Sequence, residues 1–156
     1  MSEIVKSIEL GGRTLTLKTG KLAPQADLSV LVSYGETVAL VTVTSAPLKQ
    51  ELDYFPLSVE YQERLYAGGR IKGSRWVKRE GRPTEEEILS GRVIDRSIRP
   101  LFPKTYKREV QLIATVLSVD GENDPTITAA LGASAVLTAS ALPWSGPVSI
   151  LNVGLI

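Results

Sequence analysis

Basic residues that could bind phosphate groups are concentrated in one part of this 156-residue chain. The segment 63–108 holds thirteen of the 18 lysines and arginines but only six acidic residues, which gives it a net charge of +7. The other residues include five basic and eleven acidic ones, a net charge of −6. A local positive field of this size attracts polyanions, of which nucleic-acid backbones are the commonest. The segment therefore predicts a nucleic-acid-binding surface.

Three arginines in this segment recur at a spacing that places them on one face of a helix: Arg92, Arg96 and Arg99. We predict the helix over 84–99, because Thr84 followed by three glutamates is a helix-start signature and the proline at 100 would end it. A row of guanidinium groups suits phosphate recognition. The alternative is a solvent-exposed face with ion pairs inside the helix, although only Asp95 is available there and we expect pairing to be poor.

The glycine-rich stretch 64–82 has little hydrophobic periodicity, and we predict that it forms a long functional loop. Trp76 stands among basic residues there, a combination that suits stacking on a base. A tryptophan folded into the core is the other interpretation. The glycines match neither a dinucleotide fingerprint nor a P-loop. The candidate nucleic-acid-binding residues are, in chain order, Arg64, Arg75, Trp76, Lys78, Arg79, Arg82, Arg92, Arg96 and Arg99.

Cysteine and histidine are both absent. This excludes disulfides, thiol nucleophiles, Cys/His zinc sites and imidazole general bases. Chemistry would have to come from carboxylates, lysine or arginine, hydroxyls, or an oxygen-bound cation such as Mg²⁺. Asp120, Glu122 and Asp124 could be taken for a cation site, but turn and helix-capping roles explain them better. The sequence begins without a signal peptide and has no membrane-spanning run, so we expect a cytoplasmic protein without a membrane partner.

The other residues predict the scaffold that positions these candidates. Alternating runs indicate a first N-terminal hairpin and Val- and Leu-rich runs a second; further strands and two helices follow in the later part of the chain. The predicted strands are 3–9, 13–18, 28–34, 37–43, 55–61, 110–119 and 148–156. We predict an α+β fold of mixed α/β layers, with the hairpins and sheet packed against helices at about 84–99 and 125–142 in one domain, 1–156.

Three stretches together closely resemble one family: FPLSVEYQERLYAGGRIKGS, KREGRPTEEEILSGRVIDRSIRPLFP and VQLIATVLSVDGENDP. They are similar to the first RNase PH-like domain of the bacterial polynucleotide phosphorylase family. The resemblance implies a polyribonucleotide nucleotidyltransferase, a phosphorolytic 3′–5′ exoribonuclease of mRNA degradation that works as a ring-shaped homotrimer. It implies single-stranded RNA as substrate, inorganic phosphate as co-substrate, Mg²⁺ as cofactor and degradosome-type protein partners.

The resemblance also places the RNA-gripping Phe-Phe-Arg-Arg loop of the family on Trp76-Val77-Lys78-Arg79, and it matches Arg92, Arg96 and Arg99 to the family's helix arginines. The loop here is one residue longer, with Arg75 extra, which alters the spacing of the stacking residues but keeps the positive charge.

In the family the first domain continues past the equivalent of Ile156, and a catalytic, metal-binding domain follows it. We therefore expect a domain truncated at its C-terminal end that contributes RNA threading and trimer contacts, holds no catalytic or metal-binding residue and is inactive alone. The alternative is a non-catalytic RNA-binding or assembly module of an exosome-like ring of RNase PH-fold subunits. Sequence beyond residue 156 would discriminate between the two.

Overall fold

The computed structural model describes residues 3–50, 52–71 and 81–154, which form one mixed sheet with two helices packed against it. The strands are β1 (Ile4–Leu10), β2 (Arg13–Thr19), β3 (Leu28–Tyr34), β4 (Thr37–Pro47), β5 (Leu57–Glu63) and β6 (Arg108–Ser118), and the helices are α1 (Glu85–Ile98) and α2 (Pro125–Ala139). The sheet order is β1-β2-β3-β4-β6-β5, and only β5 and β6 run parallel. The predicted α+β arrangement is confirmed.

Alternation along the central strands builds the core. In β4, Ala39, Val41 and Val43 are fully buried, whereas Leu40 and Thr42 between them are half-buried on the opposite face. Successive side chains of a strand point to opposite faces, so one alternating run supplies a wall of the core. Both helices cover the face that carries these buried residues.

Helix α2 packs on the centre of the sheet because most of its surface is small and apolar. The side chain of Asp124 caps its first turn by accepting a hydrogen bond from the Thr126 amide at 2.8 Å, and Pro125 occupies the first helical position. The helix ends at Ala139, three residues earlier than predicted. Ser140 takes an extended conformation, and its hydroxyl donates to the Leu137 carbonyl at 2.8 Å, a local hydrogen bond that competes with further helix.

Helix α1 covers the outer edge of β5. Thr84 and Glu87 form a reciprocal capping box at its start, as the sequence predicts. Gly91 faces β5, where an added Cβ atom would lie 3.4 Å from the Val59 carbonyl oxygen, so the helix backbone passes close to the strand. An uncovered strand edge exposes unpaired backbone groups, and a helix laid along it is one way to protect them.

The final strand predicted at 148–156 is wrong for residues 148–154, which the structure describes as irregular. The Val148 amide donates to the Ser134 hydroxyl at 2.9 Å, and Asn152 donates to the Asp124 carboxylate at 2.9 Å. The segment thus lies along α2 instead of reaching a sheet edge, and without an edge its backbone cannot pair as a strand.

None of the helices among the described residues is both long enough and apolar enough to cross a membrane.

Candidate nucleic-acid interface

Two arginines of the predicted row, Arg92 and Arg96, lie one helical turn apart on the solvent-exposed side of α1. Ile94 and Ile98 occupy the opposite, buried side, as the helical spacing predicts. Within the part of the chain that the structure describes, neither Arg92 nor Arg96 has a hydrogen bond or an ion pair. Their guanidinium groups are therefore available to a ligand.

Arg99, the third member of the row, has a structural partner set. Its Nε and Nη2 atoms donate to both carboxylate oxygens of Asp95 at 3.0 and 2.7 Å. Its Nη1 and Nη2 atoms donate to the carbonyl oxygens of Phe55 and Leu57 at 3.2 and 3.0 Å. The expectation of poor pairing is therefore wrong for Arg99, which fastens the end of α1 to the start of β5. Its part in nucleic-acid binding stays a prediction.

A groove of about 290 Å³ lies between β5 and α1. One wall is the edge of β5 and the other is the helix, with Arg92 and Arg99 on the same side as Asp95. The groove is lined by residues that include Leu57, Val59, Tyr61, Gly91, Arg92 and Arg99. The positive charge of Arg92 therefore lies beside a concave surface, whereas the charge of Arg99 is already neutralised by Asp95.

Apolar side chains flank the exposed arginines. Ile88, Leu89 and Val93 are 52%, 57% and 46% exposed. The helical spacing already places Ile88 and Leu89 near the arginine side, so the sequence indicates this imperfect amphipathic pattern. A face that combines guanidinium groups with apolar surface can contact a ligand that has both charged and apolar parts, as nucleotides do.

The predicted basic loop is described only at its two ends. Arg64 is half-buried and Arg82 is exposed. A short 3-10 turn occupies Leu65–Gly68. The remaining loop candidates, Arg75, Trp76, Lys78 and Arg79, lie outside the described residues, and their binding roles stay predictions.

Tyr61 is a core residue and Tyr66 is not. The Tyr61 side chain is 3% exposed, and its hydroxyl donates to Glu63 at 2.6 Å. Burial, with the nearby Glu63 carboxylate, raises the pKa of Tyr61 well above its ordinary value, so this phenol stays neutral. Tyr66 is 60% exposed beside the loop.

The acidic turn before α2 is a structural unit. The Asp120 carboxylate accepts hydrogen bonds from the amides of Glu122 and Asn123 at 2.9 and 2.8 Å. Glu122 pairs with Arg13, and Asp124 caps α2. These contacts agree with the turn and capping roles that we predict. Among residues 3–50, 52–71 and 81–154, no group of three or more acidic residues is placed to hold a metal ion.

The sequence profile of the 3′ exoribonuclease family, domain 1, matches residues 11–143. A polyribonucleotide nucleotidyltransferase from Desulforamulus reducens is 57% identical over 151 residues, which are 97% of this chain and 20% of that protein. Another from Thermomicrobium roseum is 55% identical over 150 residues, 96% of this chain and 19% of that protein. The chain thus spans about a fifth of the length of these curated relatives.

Solved structures share the fold. The crystal structure of rice (Oryza sativa) Rrp46 aligns with a TM-score of 0.65 and 17% identity, covering 85% of this chain and 58% of that one. A chain of the Archaeoglobus fulgidus exosome with RNA bound to the active site aligns with a TM-score of 0.56 and 22% identity, covering 89% and 51%. At these identities the likeness concerns the fold alone.

Proposed function

This chain belongs to the 3′ exoribonuclease family, domain 1, and on that premise we propose that it is the first RNase PH-like domain of a polyribonucleotide nucleotidyltransferase. Its role there is to hold single-stranded RNA for phosphorolytic 3′–5′ degradation and to contribute to ring assembly. Two relatives named polyribonucleotide nucleotidyltransferase, which are 57% and 55% identical to this chain over 151 and 150 aligned residues, support this proposal.

The proposed RNA contact rests on the observation that Arg92 and Arg96 are available to a ligand. Each is an exposed cation without a partner among the described residues, and the two lie one turn apart on a rigid, capped helix. Guanidinium groups bind phosphate oxygens through paired hydrogen bonds. Two such groups one turn apart can contact the backbone of one strand, while the flanking apolar side chains contact sugar or base.

The proposal extends to the whole protein that the relatives represent. There inorganic phosphate attacks the terminal phosphodiester bond, and each step releases one nucleoside diphosphate. Mg²⁺, which the family resemblance implies, would be held by residues outside this 156-residue chain. A homotrimeric ring, degradosome-type partners and a cytoplasmic location complete the proposed setting.

Replacing Arg92 and Arg96 with alanine tests the RNA contact. We expect the double variant to bind a single-stranded RNA oligomer more weakly. The slope of log affinity against log salt should fall by about 0.7 for each phosphate group that the variant no longer neutralises. Fluorescence anisotropy titrations at several salt concentrations measure both quantities.

The matched control replaces Lys6 and Lys49, two exposed lysines outside the basic segment, with alanine. This variant loses the same net charge, so it reports the effect of total charge alone. An identical salt slope in the wild type and the Arg92/Arg96 variant would overturn the proposed contact, as would an equal reduction of slope in the lysine variant.

A further inference from the structure

One carboxylate joins the two ends of the connection 64–83 between β5 and α1. Glu87 Oε1 accepts a hydrogen bond from the backbone amide of Glu63, the last residue of β5, at 2.8 Å. Glu87 Oε2 accepts another from the backbone amide of Thr84, the cap residue of α1, at 2.6 Å. The bond to Thr84 belongs to an ordinary capping box, but the bond to Glu63 does not. Glu87 therefore does more than start a helix.

Each side of this contact is tied by a second hydrogen bond to a residue deeper in the domain. The Glu63 side chain accepts a hydrogen bond from buried Tyr61, so Glu63 is held at both its backbone and its carboxylate. On the helix side, Ser90 bonds Thr126 of α2 at 3.0 Å. Glu63 and Thr84 are themselves exposed, but each side of the contact has a further hydrogen bond to the body of the domain, and the Glu87 carboxylate holds the two chain ends together. We call the contact of the Glu87 carboxylate with the backbone amides of Glu63 and Thr84 the stem clamp.

We propose that Glu87 is a positioning residue for RNA binding, which it supports by closing the stem clamp. Arg64 follows Glu63 directly, and Arg82 lies two residues before Thr84. The clamp therefore brings basic residues from both ends of the connection to the end of the molecule where α1 begins. Arg92 lies on the same helix, two turns after Thr84. This inference rests on the proposed function, since it concerns the geometry of the same RNA-binding surface.

The charge of Glu87 and its proposed positioning role should change RNA affinity in opposite directions. A carboxylate beside a phosphate-binding surface repels the ligand, so removing its charge alone should strengthen RNA binding. If Glu87 positions the basic residues, removing its charge should weaken binding instead, because the freed chain ends must be ordered again when RNA binds. The two effects on RNA affinity can be separated, because substitution of a neighbouring glutamate measures the effect of charge alone.

The test compares Glu87→Gln with Glu86→Gln in the 156-residue chain. Glu86 is exposed and has no hydrogen bond within the described residues, so its variant changes the charge equally and leaves the clamp intact. We expect RNA affinity to fall about 3- to 10-fold in Glu87→Gln, the cost of ordering one or two freed groups. We expect unchanged or slightly higher affinity in Glu86→Gln.

Thr84→Ala provides a structural control. It removes the hydroxyl that accepts from the Glu87 amide and so weakens the helix cap, but both carboxylate bonds of Glu87 go to backbone amides and remain. We expect this variant to melt at a lower temperature while its RNA affinity, measured well below that temperature, stays at the wild-type value. A purely structural role of Glu87 would instead make the affinity follow the melting temperature in both variants, which would overturn the proposal.

Amide hydrogen exchange distinguishes failure of this inference from failure of the proposed function. Glutamine keeps only one acceptor oxygen, so we expect faster exchange at the Glu63 amide, the Thr84 amide or both in Glu87→Gln than in Glu86→Gln. Unchanged exchange at both amides, or equal RNA affinity in the two variants, would overturn the role of Glu87. Faster exchange in a chain that binds no RNA even as wild type would refute the RNA-binding function while showing that the clamp exists, and the positioning role would fall with that function.

Discussion

A single side chain, Asp120, organises the turn between β6 and α2. Its carboxylate accepts from the Asn123 and Glu122 amides, from the Thr37 hydroxyl at 3.0 Å and from the Glu36 amide at 3.2 Å. The pKa of Asp120 lies well below its ordinary value, mainly because the Asn123 amide donates a hydrogen bond to the carboxylate, with a smaller contribution from the Glu122 amide. Desolvation acts in the opposite direction but does not outweigh these hydrogen bonds. The charged form is therefore the one that folding favours.

The depressed pKa predicts a pH-dependent effect of Asp120→Asn. A carboxyl group whose pKa is lower in the folded state stabilises the protein above its unfolded-state pKa of about 3.9 and loses that contribution as the pH falls toward the folded-state pKa. We expect the loss of unfolding free energy in the variant to be largest at neutral pH and to shrink below about pH 4. Denaturant titrations at about pH 7, 5 and 3 measure it.

Asp53→Asn is the control, because Asp53 is exposed and has no hydrogen bond among the described residues. A destabilisation by Asp120→Asn that is equal at all three pH values would contradict the argument.

Residue types and spacing predicted the row of Arg92, Arg96 and Arg99. They could not show that Arg99 has structural partners whereas Arg92 and Arg96 have none among the described residues. The distinction depends on what lies across from each side chain. Arg99 meets the carbonyl groups at the start of β5, and this depends on how the helix docks, which helical periodicity does not contain. The bond from Glu87 to Glu63 was missed for the same reason: the capping signature accounts for only one oxygen of the carboxylate.

Among the elements, the two helices approach the sheet through different glycines. A Cβ atom at Gly132 of α2 would lie 2.7 Å from methyl carbons of both Val32 and Val41, too close for either β-branched side chain to yield easily. A Cβ atom at Gly91 of α1 would meet its nearest neighbour, the Val59 carbonyl oxygen, at 3.4 Å, an ordinary contact. Gly132 is required by packing, and Gly91 is not.

We therefore expect opposite outcomes for Gly132→Ala and Gly91→Ala. The first overpacks the core and should lower the free energy of unfolding by about 1–3 kcal/mol. The second should leave stability unchanged or raise it by up to about 1 kcal/mol, because alanine favours helix over glycine. Urea denaturation of the two variants side by side measures both. Equal stability of Gly132→Ala and the wild type would contradict the packing argument.

Helices and strands with strong local signals could be predicted from the sequence. Capping residues mark the start of both helices, and alternating or Val- and Leu-rich apolar runs mark the six strands of the sheet. The segment 148–154 also has an apolar pattern, yet it lies along α2. A strand needs a pairing partner, and the partner is a property of the assembled sheet that composition does not reveal.

At the scale of the whole molecule, charge is segregated along the chain and chemistry is expected elsewhere. The described parts of the basic segment, 63–71 and 81–108, adjoin or belong to β5 and α1, and the described residues include no cluster of three or more acidic groups placed to hold a metal ion. Because the family resemblance places the catalytic, metal-binding residues in a following domain, we expect the 156-residue chain to release no ADP from poly(A) in the presence of inorganic phosphate and Mg²⁺. Chromatographic detection of ADP, with a full-length polyribonucleotide nucleotidyltransferase as positive control, measures this. Sustained turnover by the chain alone would place catalytic residues within it.

The parallel pairing of β5 with β6 has a consequence for the order in which the molecule assembles. The strands from β1 to β4 can join their neighbours through short turns as soon as each is synthesised, whereas Leu57 of β5 waits for Val110 of β6. Until β6 leaves the ribosome, β5 lacks its partner strand, and the sheet beside the arginine- and lysine-rich segment is incomplete. The nascent chain therefore carries its most strongly charged stretch unfolded for longer than its N-terminal half.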